Sequence, residues 1–203
     1  MRPVLVTCGA TRNPVDAIRY LSAGATGATG IGLARALGAR VHVLGSQEAA
    51  LRAPDLAVEV YGSTRDLMAR MERWCRANAD GVVIHSAAVG DYEIVGATTG
   101  KIASGQAEIV LRLTPTPKIV DRVKDWAPDA FLVSFKAAKP GVTGDELETI
   151  AQAQLNRTCS NLVFANALDH IGEDVLLVSA TETRRFGRRE DAVAALITLV
   201  ATA

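Results

Sequence analysis

The chain has 203 residues, 49% of them hydrophobic, and its 22 basic and 22 acidic residues cancel to a formal net charge of zero. This length and apolar content predict one domain, residues 1–203, with a sizeable core. Because the charge is balanced and no run of about 18 apolar residues occurs, we expect neither a nucleic-acid partner nor a membrane span.

The N-terminal stretch and the cysteines indicate the compartment. "MRPVLVTCGATR" is typical of a strand and lacks the apolar region and cleavage site of a signal peptide. Cys8, Cys75 and Cys159 are widely separated and do not have the spacing of a metal site. We interpret all three as reduced, small, buried hydrophobic residues. These features predict a cytoplasmic protein.

Short apolar runs predict the strands of a buried sheet. In chain order they are 3–7, 40–45, 82–87, 131–135 and 161–166, with further strands at 108–113 and 174–179 whose pairing the sequence does not specify. Continuous apolar runs of this length favour a parallel sheet that is covered on both faces.

A helix is predicted between the second and third of these runs. It covers 63–80 and has Ser63 or Thr64 as its cap. Its apolar residues recur with helical spacing and define one face. That face consists of Leu67, Met68, Met71, Trp74 and Cys75. We expect this face to lie in the core.

Three further helices complete the predicted fold. One has Thr116 as its N-cap, and the next has Thr143 and Glu146 in the spacing of a capping box. The last covers about 189–202 and follows a basic stretch, 181–191, that we interpret as a solvent-exposed turn. Strands that alternate with helices predict a doubly wound, mostly parallel, Rossmann-like α/β sheet.

A glycine-rich stretch follows the first strand. "RYLSAGATGATGIG" (19–32) has a glycine at every third position from Gly24 to Gly30, a pattern that lets backbone N–H groups surround a phosphate. "TGATGIG" is similar to the motif of short-chain dehydrogenases. However, the strand at 40–45 is not followed by the acidic residue that holds an adenosine ribose. An NADP-dependent oxidoreductase is therefore a less favoured alternative, and close helix packing is the purely structural one.

Two other segments carry charges where buried strands end, which is where ligands bind to doubly wound sheets. Residues 86–105 are rich in glycine, and we predict a flap over about 90–112. The flap carries Asp91, which suits Mg²⁺, and Lys101, which suits phosphate oxygens. Lys136 follows the strand at 131–135 and supplies a second cation. Each of these charges also fits an ordinary solvated side chain.

Taken together, these segments resemble the phosphopantothenoylcysteine synthetase (phosphopantothenate–cysteine ligase) family over about residues 4–180. The matching segments are "LVTCGATRNPVDAIRYLS", "IHSAAVGDY", "GKIAS", "LTPTPKIV", "VSFKAA" and "LVFANAL". The resemblance implies that CTP or ATP, with Mg²⁺, activates the carboxylate of 4′-phosphopantothenate as an acyl-nucleotide. The amine of cysteine then displaces the nucleotide, a step of coenzyme A biosynthesis. It also implies a homodimer to which the flap region contributes.

The resemblance implies roles for individual residues. Lys101 and Lys136 would contact the triphosphate, and Asp91 would hold the metal. The phosphate cradle would consist of Ala25, Thr26 and Gly27, with Gly30 opening the helix. The other implied nucleotide or substrate contacts are Gly9, Thr11, Arg12, Ala87, Ala88, Phe135 and Asn166. For Asn166, a structural amide that satisfies loop backbone is the alternative.

The chain departs from the family pattern in its phosphate loop. Ala23 stands where the family has an asparagine, and an alanine has no amide to bond an acyl oxygen. Loss of one such stabilising group typically costs about 2.7–4 kcal/mol in the transition state. Ala28 replaces a common basic residue, and Ala167 replaces an aspartate. Three functions stay open: a divergent synthetase, a related ligase or nucleotidyl transferase acting on another acid, and a nucleotide- or pantothenate-binding regulator.

Overall fold

The computed structural model describes residues 2–203. Its strands are β1 Val4–Cys8, β2 Arg12–Pro14, β3 Tyr20–Ser22, β4 Val41–Ser46, β5 Val58–Tyr61, β6 Val82–His85, β7 Tyr92–Ile94, β8 Leu113–Pro115, β9 Phe131–Ala138, β10 Leu162–Ala167, β11 Val175–Val178 and β12 Thr183–Phe186. Its helices are α1 Ala28–Leu37, α2 Gln47–Arg52, α3 Thr64–Ala77, α4 Val123–Trp126, α5 Gly144–Thr158 and α6 Arg189–Thr202. Short 3₁₀ turns occupy Gly38–Arg40 and Ile119–Arg122.

Eight strands form one sheet in the order β12-β11-β10-β9-β6-β1-β4-β5. The six strands from β10 to β5 are parallel to their neighbours, and β11 and β12 add an antiparallel edge. Two small hairpins, β2–β3 and β7–β8, stand apart from this sheet. The predicted mostly parallel, Rossmann-like α/β fold is confirmed.

Helices cover both faces of the sheet. On one face, Leu5, Val83 and Leu132 lie in register beneath α3 and α4, with α5 beside them over β10. On the other face, Val6 and Ile84 pack against α1 and α6, and α2 covers the edge near β4. Full burial of each such side chain stabilises the fold by about 1.5–3 kcal/mol. The two cores therefore hold the carboxyl ends of the parallel strands in fixed positions.

Most of the predicted elements are confirmed. The helix predicted for 63–80 is α3, and its predicted apolar face lies in the core. The hydroxyl of Ser63 accepts a hydrogen bond from the N–H of Asp66 and caps the helix. Thr143 is the residue before α5, as predicted, although its hydroxyl forms no capping bond. Within residues 2–203, no helix has both the length and the apolar character needed to cross a membrane.

The strand predicted at 108–113 is wrong. Only Leu113 belongs to a strand, β8, which pairs with β7 in the flap and not with the main sheet. The three apolar residues before it, Ile109, Val110 and Leu111, are exposed, with Val110 at 82%. Their apolar run resembles that of a buried strand, but this part of the flap lies outside the core.

Two other predictions are corrected by packing. Thr116 does not cap a helix, because its hydroxyl donates to the carbonyl of Gly90 and the helical chain begins only at Ile119. Cys8 and Cys75 are buried as predicted, whereas Cys159 is exposed. Cys159 follows the last residue of α5 in a left-handed conformation, which turns it away from the core.

Candidate functional site

The carboxyl ends of β1 and β6 are joined by backbone hydrogen bonds. The N–H of Thr11 donates to the carbonyl of Ala88 at 3.1 Å, and the N–H of Ala88 donates to Gly9 at 2.9 Å. The hydroxyl of Thr11 is buried and accepts from the N–H of Gly90 at 2.8 Å. The structure thus brings together Gly9, Thr11 and Ala88, and Thr11 holds the loop after β6 through its hydrogen bonds with Ala88 and Gly90.

Two glycines bring α1 close to these strand ends. Gly27 precedes α1 with φ +84°, and a Cβ there would lie 2.9 Å from the nitrogen of Gly9. A Cβ on Gly30 would lie 2.5 Å from that of Cys8 and 2.8 Å from the hydroxyl of Ser86. Close packing therefore accounts for these two glycines. It also places the N-terminus of α1, which favours anions, at the carboxyl edge of the sheet.

The rest of the predicted cradle is open to solvent. Thr26 is exposed and Ala25 is partly buried. The hydroxyl of Thr26 accepts from the N–H of Ala28 at 3.4 Å, and Ala23, the departure from the family pattern, is exposed. Side chains therefore do not fill the space at the loop before α1. A phosphate site requires such an open space.

A cavity of about 330 Å³ opens where β6 and β9 end, on the face covered by α3, α4 and α5. Four of the predicted site residues line it, namely Ala87, Asp91, Phe135 and Lys136. Lys101 is not among its lining residues within the described chain. The structure therefore gathers residues from the flap base and two strands at one cavity, and places the other predicted lysine elsewhere.

Some of the charged side chains around the cavity form ion pairs in the part of the chain that the structure describes, and one does not. Lys118 forms an ion pair with Asp91, and Arg157 forms one with Asp121. Lys136 is half-buried and forms no ion pair within residues 2–203. A cation in this position is available to an anionic ligand in the cavity.

Two buried polar residues, His85 and Gln154, also line the cavity, and the sequence did not single out either as a site residue. His85 contacts the hydroxyl of Thr7 at 2.8 Å, and burial lowers the pKa of His85 to about 4, so it is neutral at pH 7. Gln154 donates from Nε2 to Ser134 Oγ at 3.0 Å and to the carbonyl of Phe135 at 3.1 Å. Its Oε1 forms no hydrogen bond within the described chain and remains an acceptor.

Asn166 lies on the opposite face of the sheet, near the start of α1. Its Oδ1 accepts from Arg189 at 3.0 Å, and its Nδ2 donates to the carbonyl of Ala167 at 2.9 Å. Arg189 also donates to the hydroxyl of Thr29 at 3.1 Å and lies over the ring of Phe164. Both ends of the Asn166 amide are used, in agreement with its structural interpretation. Arg189 is half-buried and β12 occupies Thr183–Phe186, which corrects the prediction of a solvent-exposed turn over 181–191.

Arg12 and Lys101 lie away from the cavity. The guanidinium of Arg12 stacks 4.7 Å from the ring centre of Tyr20 within the β2–β3 hairpin. Lys101 is exposed on the flap, and the residues on both sides of it are bonded to the tip of the same hairpin.

The carboxylates permit only a sparse metal site. Within residues 2–203, no three His, Cys, Asp or Glu side chains are grouped so that they could hold an ion. Mg²⁺ commonly binds through one or two carboxylates together with substrate phosphates. Asp91 alone at the cavity wall fits that mode, with Lys118 as the partner that a metal would replace.

Comparisons with known proteins bear on this site. Residues 1–194 match the family model described as DNA/pantothenate metabolism flavoprotein C-terminal domain. The coenzyme A biosynthesis bifunctional protein CoaBC of Thermococcus kodakarensis is 36% identical over 191 residues, which cover 91% of this chain and 47% of that protein. Phosphopantothenate–cysteine ligase 2 of Oryza sativa subsp. japonica is 32% identical over 126 residues, or 59% of this chain and 38% of that protein.

A solved structure is similar over the whole chain. The DNA/pantothenate metabolism flavoprotein from Streptococcus pneumoniae aligns with a TM-score of 0.86 and 27% identity, covering 100% of this chain and 99% of that chain. The curated relatives are longer, and this chain spans about half of their length or less.

Proposed function

Because the chain belongs to the DNA/pantothenate metabolism flavoprotein C-terminal domain family, we propose that it is a phosphopantothenate–cysteine ligase of coenzyme A biosynthesis. This membership confirms the resemblance found in the sequence. The observation that carries the proposal is the cavity at the ends of β6 and β9, where Lys136, unpaired within the described chain, lies beside Phe135 and Asp91.

The proposed reaction has two steps. The carboxylate of 4′-phosphopantothenate attacks the α-phosphorus of a nucleoside triphosphate, and pyrophosphate leaves. The amine of cysteine then attacks the acyl carbon, and the nucleotide leaves. The cation of Lys136 would stabilise phosphate charge, and Asp91 would hold Mg²⁺, which supplies further neutralisation of that charge.

Gln154 supports CTP or ATP as the nucleotide. Its Oε1 is left to accept a hydrogen bond, because Nε2 is committed to Ser134 and Phe135. Cytosine and adenine carry an exocyclic amino group that donates to such an oxygen, whereas uracil and guanine carry a carbonyl at that position. Ala87, Val89 and Ile119 supply apolar side chains to the same cavity, whereas the ring of Phe135 stacks on Phe164 on the other face of the sheet.

The apolar side chains of the flap support a homodimer. Ile109, Val110 and Leu111 are all exposed on this one segment, and Leu113 just after it is exposed as well. Contiguous exposed apolar residues commonly mark a protein interface. We further propose that the protein acts in the cytoplasm, where its thiols remain reduced.

Pyrophosphate release tests the proposal. With 4′-phosphopantothenate, Mg²⁺ and CTP or ATP, the purified chain should release pyrophosphate and form product only when cysteine is present. Lys136→Gln should lower kcat/KM by about 10²–10³, while Lys139→Gln, an exposed lysine just beyond the same strand, serves as the matched control. Asp91→Ala and Lys101→Ala should abolish turnover with little loss of stability.

The other functions have distinct outcomes. Ala23 favours a ligase that acts on another acid, since it lacks the amide of the family asparagine. In that case the chain binds nucleotide but forms no product from 4′-phosphopantothenate. Thermal stabilisation by nucleotide without turnover of any acid would indicate a binding regulator, and stabilisation by NADP(H) alone would indicate the oxidoreductase.

A further inference from the structure

One buried carboxylate holds the flap against the β2–β3 hairpin. Asp16 lies in the tip of the hairpin, and its side chain is 0% exposed. Its Oδ2 accepts from the N–H of Ile102, the residue after Lys101, at 3.0 Å. Its Oδ1 accepts from the N–H groups of Ile18 at 2.9 Å and Arg19 at 2.7 Å. The flap and the hairpin tip therefore share one carboxylate.

The backbone on the other side of Lys101 is also held. The N–H of Ala17 donates to the carbonyl of Gly100 at 3.1 Å. Lys101 thus lies between two residues, Gly100 and Ile102, that are both bonded to the hairpin tip, while its own side chain is exposed. These bonds determine where its ammonium group can reach.

The flap has few other attachments near this lysine. Gly96 and Gly105, on either side, have φ of +76° and +94°, and a Cβ on either would meet no atom within 4 Å. Glycine at such positions gives the chain a wide choice of conformations. The bonds to the hairpin tip are therefore what select one conformation for the segment that carries Lys101.

We propose that Asp16 is a positioning residue, which fixes the place of Lys101 outside the cavity by holding the flap backbone on the hairpin tip, so that Lys101 meets the phosphates of a nucleotide that extends beyond the cavity. The proposal rests on the proposed function in that Lys101 contacts the nucleotide. A carboxylate suits this role because both of its oxygens accept, and Asp16 accepts from N–H groups on both. An asparagine of the same shape offers one accepting oxygen and presents N–H donors at the other position.

Amide hydrogen exchange measures how firmly Asp16 binds the N–H of Ile102, and it needs no ligand. In Asp16→Asn, the amide of Ile102 should exchange about 10-fold faster, while core amides of α3 such as Met71 are unchanged. Asp145→Asn removes an exposed carboxylate at the start of α5 and should leave Ile102 unchanged. An unaltered rate at Ile102 in Asp16→Asn overturns the proposal. If that variant does not fold, Asp16→Ser, whose hydroxyl can still accept within the turn but offers one oxygen instead of two, should also speed exchange at Ile102, and a rate equal to wild type there overturns the proposal.

A double-mutant cycle on CTP affinity tests whether Asp16 acts through Lys101. We expect Asp16→Asn and Lys101→Gln each to raise the Kd for CTP by about 10-fold, and the double variant to match Lys101→Gln alone. Independent losses, about 100-fold in the double variant, would overturn the positioning role. If the wild-type chain binds no CTP, the proposed function fails, whereas the exchange at Ile102 still decides whether Asp16 holds the flap.

Discussion

Gln154 acquires its chemistry from its neighbours. The same amide on a solvated helix would donate and accept equally. Here the bonds to Ser134 and Phe135 commit Nε2, Oε1 has no partner in the described chain, and the residue lines the cavity. A site built to bond one partner rejects a partner that cannot bond, because a buried polar group is then left unpaired. In the proposed function, selectivity for the base would therefore depend on this one oxygen atom.

This leads to a prediction about nucleotide selectivity. Wild-type protein should bind CTP about 10-fold more tightly than UTP, and Gln154→Met, which keeps the size and loses the acceptor, should bring the two affinities close together. Titration calorimetry with both nucleotides measures the ratio. Gln152→Met, on the same helix but outside the cavity lining, is the control. Equal ratios in wild type and Gln154→Met would contradict this role.

His85 makes stability depend on pH. Burial lowers its pKa from 6.5 to about 4, so between these values the unfolded chain takes up a proton that the folded chain does not. The free energy of unfolding should therefore fall as pH drops from about 6.5 to 4, by up to about 3 kcal/mol from this residue. Above pH 6.5 this loss disappears.

Urea unfolding across this pH range checks the effect. The free energy of unfolding of His85→Gln should fall less steeply with decreasing pH than that of wild type, even if its value at pH 7 is lower. Parallel profiles for the two proteins would show that His85 is protonated equally in both states.

At the scale of elements, α1 depends on where its glycines lie. Gly30 and Gly32 are two residues apart in the same helix, yet one faces β1 and the other faces open space. The sequence places glycines at 24, 27, 30 and 32, and this repetition suggests one shared purpose. The structure separates these positions by their packing.

The two glycines should respond oppositely to alanine. Gly30→Ala brings a Cβ to 2.5 Å from Cys8, and such overpacking typically costs about 1–3 kcal/mol of unfolding free energy. Gly32→Ala meets no atom within 4 Å and should stabilise by about 0.5–1 kcal/mol through better helix propensity. Chemical denaturation measures both. If Gly30→Ala were as stable as Gly32→Ala, the close approach of α1 to β1 would be disproved.

For the molecule as a whole, the flap is the part whose position depends most on contacts with other segments. Its apolar side chains are exposed in a single chain, and its position depends on the hairpin that leads to α1. The proposed homodimer would cover these side chains in a second copy. The association of two chains and the placement of Lys101 would then depend on the same segment.

The dimer is testable with one substitution. Sedimentation equilibrium should find a dimer for wild type, and Val110→Asp should weaken association by about 10-fold or more, because a charge would be buried in the interface. Leu51→Asp replaces another exposed residue, 73% accessible on α2, and should leave association unchanged. A wild-type monomer, or equal effects of both variants, would contradict the proposal.

The central strands of the sheet, most of the helices and the family were accessible from the sequence. β1, β4, β6, β9 and β10 appear as short apolar runs, because each of these strands is buried on both faces and needs apolar residues throughout. The exposed run at 108–113 has a similar composition, but it does not pack against the core. The local sequence pattern shows which side chains are apolar, but it does not show whether the folded chain buries them.

The site was only partly accessible, because its contacts join residues far apart in the chain. Asp91, Phe135 and Lys136 were identified from their motifs and do line one cavity. Gln154 on α5 carries no motif, and the bond from Ile102 to Asp16 spans 86 positions. Burial and hydrogen bonding depend on which elements the fold brings together. The sequence by itself therefore determined the layers of the sheet and the kinds of residue at its edge, whereas only the tertiary structure decided which of them meet.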